Sequence, residues 1–451
     1  MNSSADKPDT VRRFEVTHAS VLRLAMPMTI AYITTPLLGI VDTAVVGQFG
    51  VPAMIGGLAI GAVFIDLIFT TFNFLRSGTT GLVAQAVGAE DEKEKQAILF
   101  RALAIAILAG MIFGVASPLL LKFGLWFMAP SPAVAEAAST YFLIRMIAAP
   151  VSLGNYVILG WLFGLGKSTT TLAIQLLINV TNMILSIVLG LWFGWEVTGV
   201  AIATIIGETI GFIVGGYLCW RLLDRTTRPS RKSIFKLQSW KRLANLNVDI
   251  MIRSFALLFA FAFFTAQGAK FGEVTLAANA LLMHFFFIGA NFLDGMVAAV
   301  EQIVGRAVGA NYRAGFWKGF WYALFWGAVM AIGCALVFWL TGETIIHLMT
   351  TSDVVREEAA TYLIWAAIIP LTGLLAFHLD SVFIGATWTR DMSIMMLFSL
   401  VIYVLAWELL KEPMGNHGLW LALNAFLVLR GLTLAIRVHP RVKRTFPSAA
   451  R

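Results

Sequence analysis

Charged side chains are scarce in this chain: Asp, Glu, Lys and Arg make up 13% of its 451 residues, against about 25% in an ordinary soluble domain. Hydrophobic residues account for 59%. This balance excludes a soluble globular protein. The apolar residues form continuous runs of about 20 to 25 residues, close to the ~20 residues that a helix needs to cross ~30 Å of hydrocarbon. The composition therefore predicts a protein that lies in the lipid bilayer.

Cysteine and histidine are also few, with 2 and 6 residues respectively. Cys219 and Cys334 lie in different halves and in apolar surroundings, which indicates packing residues and not a disulfide or metal framework. The chain has no His-Glu-x-x-His pattern, and His284, His378 and His417 are too far apart in sequence to form a local metal motif. We therefore expect no metal site, no cofactor and no enzymatic activity.

The apolar runs predict an all-α integral membrane protein. A membrane barrel needs short segments that alternate in polarity, and these runs are continuously apolar. We count about twelve runs, six in each half of the chain. The predicted spans are 21–46, 52–85, 97–122, 134–162, 169–193, 197–222, 243–270, 276–308, 314–340, 355–386, 391–411 and 416–437.

The two halves of the chain repeat each other. Asp42-Thr43-Ala44 recurs as Phe264-Thr265-Ala266 at a shift of 222 residues (264 − 42), and Val87-Gly88-Ala89 recurs as Val308-Gly309-Ala310 at 221 (308 − 87). Composition alone does not produce one near-constant offset, so the sequence predicts two homologous six-helix lobes. The lobes differ in charge, because the acid of the first motif is a phenylalanine in the second. This difference makes Asp42 the first candidate for function.

Lysine and arginine cluster in three segments, which fall on one side of the membrane when the number of spans is even. These residues are Lys7, Arg12 and Arg13 near the N-terminus, Arg221, Arg225, Arg228, Arg231, Lys232, Lys236, Lys241 and Arg242 in the middle, and Arg437, Arg441, Lys443, Arg444 and Arg451 at the C-terminus. The positive-inside rule predicts a multi-pass protein of the inner or plasma membrane with both termini in the cytoplasm. The net charge of +8 is then a topology signal and does not indicate nucleic-acid binding.

The same pattern predicts the order of the domains. They are a cytoplasmic N-terminal tail (1–20), an N-lobe (21–222), a basic cytoplasmic linker (223–242), a C-lobe (243–437) and a basic cytoplasmic tail (438–451).

Ionisable residues inside the spans are costly, so each needs a partner, water or a function. They are Asp42, Asp66, Arg76, Arg145, Glu208, Asp249, Arg253, Asp294, Glu301 and Asp380. Asp249 and Arg253 are four residues apart on one helix face and can pair with each other. Arg76 and Arg145 are expected near helix ends, where snorkelling reduces their cost. Asp294 and Glu301 also share a face, and with Asp249, Arg253 and Asp380 they predict a polar network in the second lobe.

Asp42 follows a strongly apolar stretch in a helix that contains Pro27 and Pro36. Proline removes a backbone donor and allows a helix to bend, and apolar surroundings disfavour the charged form of a carboxylate. An acid that gains and loses a proton on a bending helix can couple ion flow to movement. Asn182 and Ser186 are one turn apart in the fifth span and are candidate partners for Asp42. A hydrogen-bonded structural Asp remains the alternative.

Several runs resemble the multidrug and toxic compound extrusion (MATE) transporters, in the branch typified by DNA-damage-inducible protein F. They are residues 36–47, 74–82 and 84–89 in the first lobe, and 249–253, 293–295, 299–301, 379–380, 384–387 and 416–422 in the second. The resemblance covers about residues 20–437 and implies a twelve-helix exporter whose two lobes form a V-shaped cleft. It also implies that Asp42 is a cation site assisted by Asn182, Ser186 and Thr204. Relatives commonly carry an acid at the position of Ser186, and its replacement here favours protons over sodium ions.

The sequence thus predicts a monomeric antiporter that exports small organic compounds, cationic or amphiphilic, by alternating access in exchange for protons. Two alternatives stay open: sodium-coupled antiport, and a flippase for lipid-linked intermediates. The flippase would need a strongly cationic cavity, whereas most arginines recognised inside the spans have an acid nearby in sequence.

Overall fold

The structure is a computed structural model that describes residues 12–224, 226–230 and 234–447. Lys7, Arg225, Arg231, Lys232 and Arg451, which belong to the predicted basic segments, lie outside the described residues. Within the described ranges the chain is helical and contains no strand. The all-α fold predicted from the apolar runs is therefore confirmed.

The helices of the described residues are long, as continuous apolar runs require. They are α1 (His18–Gly47), α2 (Pro52–Thr71), α3 (Phe74–Gly88), α4 (Glu92–Met128), α5 (Pro132–Ile147), α6 (Ala149–Gly164), α7 (Ser168–Leu185), α8 (Glu196–Leu222), α9 (Leu237–Gly268), α10 (Glu273–Gly309), α11 (Arg313–Met349), α12 (Asp353–Ala367), α13 (Ile369–Gly385) and α14 (Thr389–Thr445). A π-helix (Ser186–Trp192) continues α7, and a short 3-10 helix (Ala269–Phe271) follows α9.

The number of membrane spans agrees with the sequence. In the described part of the chain, 10 helical stretches are long and apolar enough to cross a membrane, and 11 if α5 and α6, bent by 55°, count as one span. The 57 residues of α14 are interrupted at Gly415, whose φ of 53° and ψ of −131° are not helical and suit a glycine. Counting the parts before and after Gly415 separately adds one span, which gives the predicted number.

The helices form two compact units. The N-unit comprises Pro27–Thr80 and Glu92–Asn247, and the C-unit comprises Met1–Met26, Gly81–Asp91 and Val248–Arg451. Both α1 and α9 contribute to each unit, because a unit boundary falls inside each of these helices. The units are defined by contacts within the fold, whereas the predicted lobes are defined by the sequence repeat. The lobe boundaries therefore stay a prediction.

Close helix contacts in the N-unit rely on glycine. A Cβ atom at Gly57 of α2 would lie 2.3 Å from the Cβ of Ala137 in α5, and one at Gly207 of α8 would lie 2.9 Å from the carbonyl oxygen of Ile178 in α7. Small residues allow membrane helices to approach each other in this way. The contact at Gly207 also reaches Asn182, so it fixes the distance between α8 and the polar face of α7.

In the C-unit, the repeated Val-Gly-Ala motifs meet each other. A Cβ at Gly88 would lie 2.0 Å from the carbonyl oxygen of Arg306, and one at Gly309 would lie 1.8 Å from that of Gln85. Phe264, which stands where the first half has Asp42, is 1% exposed and packs edge-on against Trp420 with ring centroids 4.8 Å apart. In this half the position serves the hydrophobic core.

Candidate functional site

Three of the predicted site residues meet in the N-unit. Asp42 lies in the last two turns of α1 and is 7% exposed. The hydroxyl oxygen of Ser186 lies 2.8 Å from Asp42 Oδ1 and 3.0 Å from Asn182 Oδ1. Ser186 begins the π-helix that continues α7, and π-helical turns occur frequently at functional sites. The buried group formed by Asp42, Ser186 and Asn182 is called the Asp42 site below.

Thr204, the fourth predicted member, lies on α8 and is buried. Its hydroxyl donates a hydrogen bond of 3.0 Å to the carbonyl oxygen of Val200, one turn earlier in the same helix. This bond satisfies the hydroxyl within α8, so the contact does not bring Thr204 to the Asp42 carboxylate.

The predicted hinge prolines both lie inside α1, which runs through them from His18 to Gly47. A second contact joins α1 to α7 before Pro36, where the Asn179 side chain donates a hydrogen bond of 2.8 Å to the Thr34 hydroxyl. The Asp42 contact with Ser186 comes after Pro36. The two helices are therefore joined on both sides of this proline.

Arg145 lies in the last turn of α5, as expected, but not at the membrane surface. It is 6% exposed, because α5 ends at the 55° bend within the fourth span. Its guanidinium pairs with the carboxylate of Glu208 at 3.0 and 3.1 Å. The expectation of a snorkelling side chain is wrong, since this helix end is internal. Pro150, three residues after Ile147, was the signal for the break.

Other groups complete the polar interior of the N-unit. The Ser152 hydroxyl donates to the Glu208 carboxylate, and the Asn155 side chain donates to the Glu208 carbonyl oxygen at 2.8 Å. The carboxylates of Asp42 and Asp66 are near enough to act electrostatically on Arg145. Three acids thus act electrostatically on this guanidinium.

In the C-unit the predicted polar network has a different pairing. Arg253 contacts Asp380 at 3.0 Å and does not pair with Asp249, whose carboxylate accepts from the hydroxyls of Thr389 at 2.8 Å and Ser393 at 3.4 Å. The predicted pairing of Asp249 with Arg253 along one helix is therefore wrong. The hydrogen-bond partners of Asp249 are instead the hydroxyls of Thr389 and Ser393 in α14.

Arg430 is a buried charge that the sequence reasoning missed. It is 1% exposed and pairs with Asp380, so two guanidiniums contact one carboxylate. Asp294 and Glu301, both on α10, act electrostatically on Arg253. An arginine within the apolar run 416–437 was the available signal.

Comparison with known proteins gives the family. The MatE family model matches residues 27–188 and 250–406, most of both halves. The chain belongs to the MatE family. DNA damage-inducible protein F of Escherichia coli (strain K12) is 36% identical over 420 residues, which cover 91% of this chain and 90% of that protein. The resemblance drawn from the motifs is thus confirmed, and members of this family are transporters and not enzymes.

More distant MATE proteins share the length and the fold. A probable multidrug resistance protein NorM of Bacillus cereus (strain ATCC 10987 / NRS 248) is 25% identical and covers 94% of this chain and 95% of its own. A crystal structure of MATE in the bent conformation superimposes with a TM-score of 0.86 at 18% identity, covering 96% of this chain and 97% of the other. At this identity the superposition establishes the MATE fold, and with it a multi-span membrane protein.

Proposed function

We propose that this MATE protein exports small organic compounds across the inner or plasma membrane in exchange for protons, and that Asp42 carries the proton. The observation that supports the proposal is the kind of group in contact with three acids inside the spans, Asp42, Glu208 and Asp380. Asp42 contacts a hydroxyl, whereas Glu208 and Asp380 contact guanidiniums. A guanidinium holds a carboxylate in its charged form. An acid that contacts a neutral hydroxyl can alternate between the charged and the neutral form.

The geometry at Ser186 supports a change of hydrogen bonding with each proton. A hydroxyl carries one hydrogen, so Ser186 donates to only one of its two neighbours at a time. When Asp42 is charged, Ser186 donates to it, and Asn182 turns its amide group to donate to Ser186. When Asp42 is neutral, it donates to Ser186, and Ser186 donates to the Asn182 oxygen. The protonation state of Asp42 in α1 thereby changes the hydrogen bond between Ser186 and Asn182 at the end of α7.

Pro27 and Pro36 are the proposed hinges through which this change moves α1. Each proline removes a hydrogen bond to the residue four positions earlier. Because Asn179 holds Thr34 before Pro36, weakening of the Asp42 contact frees the end of α1 while its earlier part stays attached. The proton must bind the two conformations with different affinity, or it would shift nothing.

Protons are proposed as the coupling ion because of the donor set. Sodium favours several anionic or carbonyl oxygens, whereas the Asp42 site supplies one carboxylate, one hydroxyl oxygen and a single amide carbonyl oxygen. The substrates are proposed to be cationic or amphiphilic organic compounds, in line with the multidrug resistance named for the NorM relative. We further propose a monomer with both termini in the cytoplasm, from the distribution of Lys and Arg.

The flippase alternative receives less support. A cationic head-group site needs unmatched guanidiniums, and Arg253 and Arg430 both contact Asp380. Asp294 and Glu301 add further negative charge near Arg253.

Proteoliposomes with an encapsulated fluorescent cation test the proposal. The pH gradient and the sodium gradient are imposed separately, and release of the cation is followed over time. We expect release with the pH gradient alone. Release that requires the sodium gradient would identify sodium, and not the proton, as the coupling ion. Release of a labelled lipid-linked pyrophosphate without cation transport would favour the flippase.

A further inference from the structure

The connection between α8 and α9 displays basic and apolar side chains together. The exposed basic residues of this connection and of the helix ends beside it include Arg221 in α8, Arg228 and Lys236 in the connection, and Lys241 in α9. Phe235 and Leu237 are 71% and 67% exposed. These six residues are called the linker surface below, and all of them belong to the N-unit.

Hydrogen bonds to α4 hold the connection in place. Gln96 donates to the carbonyl oxygen of Asp224 at 3.1 Å, and Arg101 donates to that of Ile234 at 3.0 Å. Arg101 is in turn held by Glu94 at 2.8 and 3.0 Å. The two anchoring side chains are five residues apart on one helix, which corresponds to about 8 Å. The linker surface is therefore a built feature of the fold.

The depth of this surface follows from the residues beside it. Tyr217 and Trp220, at the end of α8, are 53% and 54% exposed, and Tyr and Trp are enriched at the membrane–water interface. The guanidinium of Arg221 lies 5.9 Å from the ring centroid of Tyr217. Because the connection follows α8 directly, we expect Phe235 and Leu237 at the level of the lipid head groups.

The acids near the linker surface are already engaged. Asp224 accepts hydrogen bonds from the hydroxyl and the amide of Thr226 and from the hydroxyl of Thr227, and these bonds lower the pKa of its carboxyl. Glu94 is paired with Arg101. Among the described residues, Lys236 and Lys241 form no ion pair with either of these two carboxylates.

We propose that the linker surface binds anionic phospholipids of the bilayer. Lys236, Lys241 and Arg228 contact the head-group phosphates, while Phe235 and Leu237 enter the boundary with the acyl chains. Membrane topology alone accounts for basic charge, but not for two large apolar side chains exposed among it. Leu237 and Lys241 of this surface lie in the part of α9 that belongs to the N-unit.

Titration of the purified full-length protein in detergent with dioctanoyl phosphatidylglycerol, and separately with dioctanoyl phosphatidylcholine, tests this proposal. We expect tighter, salt-sensitive binding of the anionic lipid. The double variant Lys236→Gln/Lys241→Gln should weaken it by about fivefold per lysine, the equivalent of ~1 kcal/mol each. The control Lys318→Gln/Lys443→Gln removes the same charge from exposed lysines of the C-unit and should bind as the wild type does.

A second variant separates lipid binding from general anion binding. Phe235→Ser/Leu237→Ser keeps the charge and should lose affinity for the lipid but not for poly-glutamate, provided that its thermal unfolding matches the wild type. Equal lipid affinity in the lysine variant and its control overturns the proposal. So does a phosphatidylglycerol affinity that is unchanged in the Phe235/Leu237 variant, because the surface would then bind polyanions without recognising a lipid.

Discussion

The buried ion pairs of the two units join corresponding spans with opposite charges. In the N-unit, Arg145 of the fourth span pairs with Glu208 of the sixth. In the C-unit, Asp380 of the tenth span pairs with Arg430 of the twelfth. Glu208 and Arg430 are 222 residues apart (430 − 208), the same shift that relates Asp42 to Phe264. Corresponding spans are therefore paired in both halves, but the sixth span carries the acid Glu208 where the twelfth carries the base Arg430.

This reversal gives the ion pair of each unit a different set of charged neighbours. Asp42, Asp66 and Glu208 all act electrostatically on Arg145, which forms its ion pair and hydrogen bond with Glu208. Asp380 instead contacts both Arg253 and Arg430. A carboxylate between two guanidiniums stays charged, whereas Asp42 meets a hydroxyl. We therefore expect an acid inside a span to take part in proton coupling only when its direct partner is neutral.

Asp42→Asn should have the largest effect, because an amide cannot alternate between charged and neutral forms. We expect loss of pH-driven exchange in proteoliposomes with normal expression. Asp249→Asn is the matched control. Its half-buried carboxylate accepts hydrogen bonds from hydroxyls, as that of Asp42 does, but it has two such partners and lies in the C-unit. Full pH-driven exchange in Asp42→Asn, or an equal loss of exchange in both variants, would show that Asp42 is not the specific proton site.

Asp380→Asn should destabilise the protein more than Glu208→Gln. The first leaves the buried Arg430 and the half-buried Arg253 without their carboxylate, and breaking a buried pair costs about 3–5 kcal/mol. After the second, Arg145 still has Asp42 and Asp66 nearby, so the loss is smaller. Thermal unfolding in detergent measures both. Combining Asp380→Asn with Arg430→Gln should recover part of the loss, and a larger loss in Glu208→Gln would contradict the comparison.

The Asp42 site was predictable only through the family resemblance, because Asp42 and Ser186 lie on different spans, 144 residues apart. Asn182 and Ser186 share a helix face, and the family motif pointed to the first-span acid. The pairs Arg145 with Glu208 and Asp380 with Arg430 were not, since they join different spans through packing that no short spacing encodes. The local rule failed for Asp249 and Arg253 for the same reason: Thr389 and Asp380, distant in sequence, gave each residue a closer partner.

Ser186→Ala tests whether the neutral partner of Asp42 matters. Without the hydroxyl, charged Asp42 loses a hydrogen bond, and bonds to charged groups are worth about 1.5–3 kcal/mol. We expect a tenfold or larger fall in pH-driven exchange, since ~1.4 kcal/mol corresponds to a factor of about 10. Ser186→Thr keeps the hydroxyl and should retain exchange if it folds. Equal rates in the alanine variant and the wild type would show that Ser186 only fills space.

The smallest effect is expected from Pro27→Ala/Pro36→Ala, because it changes the freedom of α1 and leaves the Asp42 contact in place. Alanine restores a backbone donor inside the helix, so folding should be intact. A stiffer α1 should slow exchange without changing the ion that drives it. Pro118→Ala, which alters a proline inside α4, is the control and should transport at the wild-type rate. If the double variant matches this control, bending at Pro27 and Pro36 is not the step that the proton drives, and the change at Ser186 must reach the rest of the N-unit through α7.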